Sequence, residues 1–268
     1  MRVYVINMRE AVERRAAAER KLDEAGIAFE FFDGISGEQA IAHRLFDGFA
    51  DNEFLLNTGR KAAPGEIGCF ASHRALWAQA AVLNEPIMIM EDDFDLLDSF
   101  PKAVRVAEQV INEVGYLRLQ VNSNAKRREI ARRGEFSLSI YTKAPHCMMC
   151  YCISPEVARQ FIEDTRVMDA PVDVFIKKYW EHGQPLYALT PYPVAPSILS
   201  TATTITGRQK KRKPLKLAIQ RLVRKCGWHL QRSHFNFRQR WSPAVSPAKS
   251  ATTAPEAPAM VIAANASD

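Results

Sequence analysis

Three consecutive carboxylates, Glu91, Asp92 and Asp93, follow directly on four apolar residues, Ile87 to Met90. Asn84-Glu85-Pro86 breaks the chain just before that run. A short apolar run bounded by a breaker reads as a strand buried on both faces, the kind found in a parallel sheet. Open α/β sheets bind their ligands beyond the carboxyl ends of the strands. Three adjacent like charges at such a place repel one another and need a partner. A divalent cation is the simplest one, and carboxylate oxygens suit Mg²⁺ or Mn²⁺. The plain alternative is a solvated acidic loop. A second acidic candidate, Asp173, ends Asp169-Ala170-Pro171-Val172-Asp173 ahead of a predicted helix, where it could also complement the helix dipole. Cys147-Met148-Met149-Cys150 has the spacing of a metal or redox site, but no second pair follows and its surroundings are apolar. These thiols read as small buried hydrophobes.

Several elements must position these groups. Arg2 to Ile6 predicts a first strand, Arg9 to Ala25 a helix stopped at Gly26, and Ile27 to Phe32 a second strand. Strand, helix and strand in that span suggest a βαβ unit. Asn7 and the arginines after it sit where a nucleotide could lie; the alternative is an N-cap ahead of a solvated helix face. Asp47 to Arg60 reads as loop. Pro64-Gly65-Glu66 opens a helix carrying Ile67, Phe70, Ala71, Ala78 and Ala81 at helical spacing, with His73 and Arg74 on it. Either could face a phosphate, although a lone helical His is more often structural. Phe100 to Val114 predicts a helix and Tyr116 to Val121 a strand. Asn122 to Gly134 reads as a polar, basic loop. Phe136 to Tyr141 and Cys147 to Ile153 predict strands, and a helix starts at Ser154-Pro155. Val174 to Trp180 predicts a further helix and Leu186 to Leu189 a last strand.

Composition narrows the class. The 268 residues are 47% hydrophobic and 25% charged, as in an ordinary globular protein with a sizeable core. No run of about 18 apolar residues exists to span a bilayer. The strand-like N-terminus is not expected to be a signal peptide. Five cysteines without a framework spacing fit reduced thiols in a cytoplasmic protein. The net charge of +6 conceals an asymmetry: residues 208–240 hold twelve Lys or Arg and no Asp or Glu. Residues 241–268 carry −1, so the first 207 residues carry −5.

Several blocks match one family. Val5-Ile6-Asn7-Met8 with Arg9 and Arg14, then Phe29-Glu30-Phe31-Phe32-Asp33-Gly34, resembles the start of the glycosyltransferase family 25 proteins, which include bacterial lipooligosaccharide galactosyltransferases. Gly65-Glu66-Ile67-Gly68-Cys69-Phe70-Ala71-Ser72-His73 is similar to that family's GEIGCxxSH block, and Ile89-Met90-Glu91-Asp92-Asp93 to its LEDD block. Tyr151-Cys152-Ile153-Ser154 and Pro171-Val172-Asp173 resemble two weaker blocks. The resemblance covers about residues 1–200. It implies an α/β fold, GT-A-like, with a Rossmann-type sheet and flanking helices. It also implies a nucleotide-sugar donor, UDP-galactose in first place, a Mn²⁺ (or Mg²⁺) cofactor, and a lipooligosaccharide or other glycan acceptor. It carries metal binding onto the Glu91-Asp92-Asp93 cluster, with Glu91 and Asp93 as ligands and Asp93 the direct one. Donor contacts fall on Asn7, Arg9, Arg14, Glu66, His73 and Asp92. The family is assigned inversion, which needs a base opposite the leaving group, and Asp173 is the candidate.

Two rivals come from other classes. A phosphatase of the haloacid dehalogenase type also places acids after a strand, but Asp93-Phe94-Asp95-Leu96-Leu97 has Leu where Thr or Val is needed. A non-catalytic membrane-surface or nucleic-acid-binding protein would account for the basic segment, yet it leaves the acidic strand end unexplained. The reading disfavours nucleic acid as partner.

The expected organisation is a catalytic domain over 1–207, a basic amphipathic segment over 208–240, and a disordered Ala/Pro/Ser-rich tail over 241–268. Within the segment, Leu215, Ala218, Ile219, Leu222, Val223 and Cys226 recur at helical spacing, with cations between them and Trp228 near the end. The polybasic run Arg208 to Lys213 precedes them. That is the composition of a membrane-surface helix, and anionic leaflets attract each Lys or Arg. The expected location is the cytoplasm, peripheral on the inner face of the cell membrane. The competing expectation packs the apolar stripe on the acidic domain.

Overall fold

A computed structural model describes residues 1–121, 125–197 and 214–240. The chain begins with β1 (Arg2–Asn7), α1 (Val12–Glu24) and β2 (Glu30–Asp33), with Gly26 at φ 65° turning the chain after the helix. The strands β1 and β2 pair in parallel, the expected βαβ unit. Next come α2 (Gly37–Ala42), β3 (Gly48–Phe49) and α3 (Asp51–Thr58). Residues 47–60 are thus a short strand and a two-turn helix, where a loop was expected. Ala50 at the N-cap makes no side-chain cap bond, so the usual start signal is missing. The helix is held by burial of Phe54 and is closed by Gly59 in the left-handed region.

The long helix α4 (Pro64–Leu83) leads into β4 (Ile87–Glu91) and the short β5 (Phe94–Leu96). Gly68 lets α4 cross the chain entering α2, since a Cβ there would stand 2.3 Å from the Ile35 carbonyl oxygen. After α5 (Phe100–Val114) and β6 (Tyr116–Arg118), β7 (Lys126–Arg133) and β8 (Phe136–Lys143) form a hairpin about Gly134 at φ 60°. The expected basic loop is therefore strand β7 for most of its length. It lies at the sheet edge, and most of its side chains are exposed. No apolar alternation marks it, and charged side chains guard such an edge against further pairing.

The chain closes with β9 (Cys150–Ile153), α6 (Pro155–Asp164), β10 (Val167–Met168), α7 (Val172–Lys177), α8 (Tyr179–His182), β11 (Tyr187–Thr190), β12 (Val194–Pro196) and α9 (Leu215–Gln239). The helix expected over 174–180 is two helices broken at Lys178, whose ammonium is drawn inward to Glu181 and Asp169. The strand expected from Cys147 starts at Cys150; residues 147–149 belong to the preceding loop.

One eight-stranded sheet, ordered β2-β1-β4-β9-β6-β11-β8-β7, carries the fold. It is mixed. β4 is fully buried as expected over Ile87–Met90, but it is parallel to β1 and antiparallel to β9. Burial on both faces needs layers above and below, and it does not fix strand direction. Tyr4, Ile87, Ile89, Tyr151 and Ile153 point to one face, packed with Trp77 of α4 and Phe161 of α6. Val3, Val5, Met88, Met90, Cys150 and Cys152 point to the other, packed with Leu22 of α1 and Ile111 of α5. The period-two alternation of the strands makes this three-layer core. No helix among the described residues is long and apolar enough to cross a membrane.

Candidate functional site

The end of β4 separates its three carboxylates. Asp92 turns inward and is held on both oxygens: the Asn7 amide donates to one at 2.6 Å, and Arg14 stands 3.0 Å from the other. Burial raises its pKa, and Glu91 adds to that, against the pull of Arg14 and Asn7. Asn7 is itself buried and does not cap α1, whose N-cap is Ala11. Arg9 lies outside this cluster, exposed and paired with Asp33 at 2.6 Å. Asp93 differs from its neighbour. One carboxylate oxygen is buried without a hydrogen-bond partner among the described residues, and burial, then Glu91 and Asp92, push its pKa up to about 6. Glu91 is half-buried. An orphaned carboxylate oxygen beside a second carboxylate fits an oxygen-ligated divalent cation. Cys69, His73 and Glu91 bring one ligand atom each within 4.8 Å of one another, so the same corner also offers softer donors.

His73 has no exposed surface. Its Nδ1 lies 2.9 Å from the Tyr151 hydroxyl, and its Nε2 faces Glu91 at 3.5 Å. The structure therefore places it behind the acidic cluster, in contact with Glu91. Trp77 Nε1 donates to the same tyrosine hydroxyl. Glu66, at the first turn of α4, is also buried; it accepts from the Arg60 guanidinium and from the Ala63 backbone N–H. Its carboxylate ties the loop before α4 to the helix.

Asp173 opens α7 at the boundary of two cavities. One, of about 160 Å³, also reaches Glu91, Cys147 and Met148. The other, of about 360 Å³, runs toward α9. So Asp173 and Glu91 face a common space, although 82 residues separate them. The Asp173 carboxylate lies 3.2 Å from His146 Nδ1, and Lys177 Nζ lies 2.7 Å from His146 Nε2. Burial works against ionisation of Asp173, but the bond and charge of His146 outweigh it and lower the pKa. Burial, then Glu91, raises Cys147 to about 11, so this thiol stays protonated at neutral pH.

Sequence reasoning missed His146 and what holds it. The loop carrying it is anchored by Arg118, a fully buried guanidinium in β6 that donates to the Pro145 carbonyl at 2.9 Å and reaches the Tyr116 hydroxyl. Cys147 next door sits at φ 133°, which a non-glycine residue holds only where its surroundings impose it. An Arg inside the apolar run Tyr116-Leu117-Arg118-Leu119 was the available signal.

Helix α9 packs on the domain, by a face the sequence did not indicate. Leu217, Arg221, Arg224, Trp228, Arg232, Phe235 and Asn236 recur at helical spacing and are partly buried. Arg224 reaches Glu53 at 2.6 Å and Asn57 at 2.8 Å. The Asn236 amide donates to the Thr142 carbonyl at 2.8 Å, and Phe235 packs on Tyr179. Trp228 turns inward toward Trp180, and Lys178 lies over its ring. The expected apolar stripe is left outside: Leu215, Ile219, Leu222, Val223, Leu230 and Phe237 are each more than half exposed. The acidic groups of α3 draw in the arginine face. The polybasic run 208–213 and the tail 241–268 lie outside the described residues.

Fold and site together define an α/β protein with a cluster of carboxylates at the carboxyl end of a central strand. The sequence model of glycosyltransferase family 25 (LPS biosynthesis protein) matches residues 1–176, from β1 into α7. The chain belongs to glycosyltransferase family 25. It is similar to a "Glycosyltransferase 25 family member" of Aedes aegypti, 33% identical over 110 residues, 38% of this chain and 18% of the relative. It is similar to the lipooligosaccharide biosynthesis protein lic2B of Haemophilus influenzae, 35% identical over 91 residues, 34% and 32% of the two chains. With the lacto-N-neotetraose biosynthesis glycosyltransferase LgtE of Neisseria gonorrhoeae it is 27% identical over 217 residues, 71% of this chain and 72% of that one. The chain thus spans about a fifth of the insect relative's length. Helices α8 and α9 lie beyond the family match.

Proposed function

We propose that the protein transfers a sugar, galactose in first place, from a UDP-sugar to a lipooligosaccharide or other glycan acceptor, with inversion and on a GT-A-like fold. The observation that carries the reading is the unpartnered, buried carboxylate oxygen of Asp93 beside Glu91 at the end of β4. Glu91 and Asp93 would hold Mn²⁺ or Mg²⁺, which supplies charge stabilisation to a leaving nucleoside diphosphate. Asn7 and Arg14 hold Asp92 by both of its oxygens, so the strand end keeps its shape. Arg9 and Asp33 border an open cavity of about 740 Å³ at the ends of β1 and β2, room for a nucleoside. His73 lies against Glu91, and Glu66 lines the space shared by Glu91 and Asp173. Asp173 accepts the proton of the acceptor hydroxyl; its own bond to His146 keeps it charged for that role.

The test is a panel of nucleotide sugars with Mn²⁺, followed by nucleotide release with and without glycan acceptors. Release that requires a UDP-hexose and an acceptor supports the reading. Absence of release with every donor, or release indifferent to Asp93→Asn, overturns it.

The proposed location is an anionic, cytoplasm-facing membrane surface. Support comes from the exposed stripe of α9 together with exposed Lys216, Arg238 and Arg240. Because α9 also packs on the domain, charging the stripe is a cleaner test than removing the helix. Leu222→Glu with Leu230→Glu should abolish co-sedimentation with anionic vesicles and leave nucleotide release unchanged. Sedimentation that survives both substitutions, or ignores lipid charge, refutes this location.

A further inference from the structure

The larger of the two cavities that meet at Asp173 is built from α7, α8 and α9, and its charge is unbalanced. Most of its ions are already matched. Arg60 is spent on Glu66, and Lys178 on Glu181 and Asp169. Arg224, behind the wall, is spent on Glu53. Three cations lining the cavity have no carboxylate partner among the described residues: Lys177, Arg221 and Lys225. Two lining side chains go further. Among the described residues, Arg221 keeps one guanidinium nitrogen buried without a partner, and Trp180 keeps its indole N–H buried without one. Such donors are normally satisfied, and an unmatched one marks a place where a ligand belongs.

The surroundings argue for an anion. Burial lowers the pKa of Arg221, and no acidic group offsets it. Burial also lowers Lys177; Asp173 counters this, while Arg232, Lys143 and Lys225 add to the lowering. Gathering like charges around partly buried Arg221 and Lys177 costs stability, and a bound anion would offset that cost. The cavity also carries two indoles, Trp180 and Trp228, with ring centroids 6.4 Å apart. Aromatic side chains present an apolar face with a polar edge, suited to the C–H face of a sugar ring beside its hydroxyls. Asp173 lines both this cavity and the one that reaches Glu91.

We propose that the cavity between α7, α8 and α9 is an acceptor subsite for an anionic saccharide, one bearing a phosphate. The anion sits on Arg221, Lys225 and Lys177, and a sugar ring lies against Trp228 and Trp180. The subsite rests on the transferase reading for the word acceptor, but not for the anion. The donor diphosphate is the other source of the same chemistry. The separate position of the Glu91–Asp93 carboxylates, outside this cavity, argues against it.

The full chain is titrated with glucose 6-phosphate, glucose and UDP, following tryptophan fluorescence. Glucose 6-phosphate should bind at least about tenfold tighter than glucose, the order expected of one charge-assisted pair. In Arg221→Gln with Lys225→Gln, the two affinities should converge while UDP binding is unchanged, with circular dichroism checking that the helices persist. A milder pair, Arg221→Lys and Lys225→Arg, should keep the preference. Equal affinities in the native protein overturn the inference, as does a preference that survives the double substitution. Loss of UDP binding instead would assign the cations to the donor and overturn it too. The transferase reading fails separately: a sugar-phosphate preference without nucleotide release keeps the anion cavity and removes the transfer.

Discussion

The acidic end of β4 and the basic cavity beneath α9 face each other across Asp173, and they are built in opposite ways. At β4, three carboxylates sit on adjacent residues, and a strand of five residues delivers them together. Their fates diverge only through a few contacts: Asn7 and Arg14 take Asp92, while Asp93 is left with an unpartnered oxygen. The basic cavity has no such local source. Its cations come from α7 and α9, and α9 is held on the domain through contacts such as Arg224 with Glu53 of α3, 171 residues away in the chain. A site of the first kind is made by a strand turn, and a site of the second kind only by the completed fold.

The largest effect should come from Asp93→Asn. Loss of the open carboxylate should cut nucleotide-sugar turnover by about a thousandfold or more. A variant with near-normal turnover and unchanged metal dependence would make the acidic end a charged loop and erase its contrast with the cavity. Asp173→Asn comes next, with turnover down by about a hundredfold and donor affinity kept. Because His146 holds this carboxylate below its ordinary range, its protonation should cost no activity at neutral or mildly acidic pH. Collapse of donor binding in Asp173→Asn would move it from the boundary into the donor site.

His182 sharpens the comparison from below the cavity. It is buried beside Phe161 and Phe175 at the end of α8. Burial lowers its pKa to about 4, and Lys178 adds to this. Its Nε2–H donates to the Ile176 carbonyl and its Nδ1 accepts from Gln184, so the neutral ring is satisfied. The unfolded chain, with pKa about 6.5, binds the proton first as pH falls. Stability is therefore full above pH about 6.5 and is lost down toward pH 4, by about 3 kcal/mol. Urea unfolding of His182→Gln should lack this component of the pH dependence; an identical slope would refute it. The smallest effect is expected for Arg224→Ala, about 0.5–1 kcal/mol, since its partner Glu53 is half exposed. A loss of several kcal/mol would mean that α9 is integral to the core and not a wall laid on it.

The sequence alone determined what local rules can carry. The run Ile87–Glu91 made a buried strand with acids at its end, because four apolar side chains need cover on both faces. Gly26 and Pro64 punctuated α1 and α4 as their backbone limits require. The family itself was legible in residues 65–73 and 89–93. Only the tertiary structure decided that β9 runs antiparallel to β4, since burial is blind to strand direction. It turned the charged stretch 126–133 into an edge strand, where pairing with β8 supplies what propensity does not. It put His73 behind Glu91, and it brought His146 to Asp173 through a loop fixed by the buried Arg118. It also chose which side of α9 meets the domain. The apolar stripe was visible in the sequence, but the face that packs carries Arg224, bonded to Glu53 and Asn57 of α3, together with Trp228 and Phe235, which pack toward Trp180 and Tyr179. Such choices depend on partners far along the chain, and spacing within a segment carries no record of them.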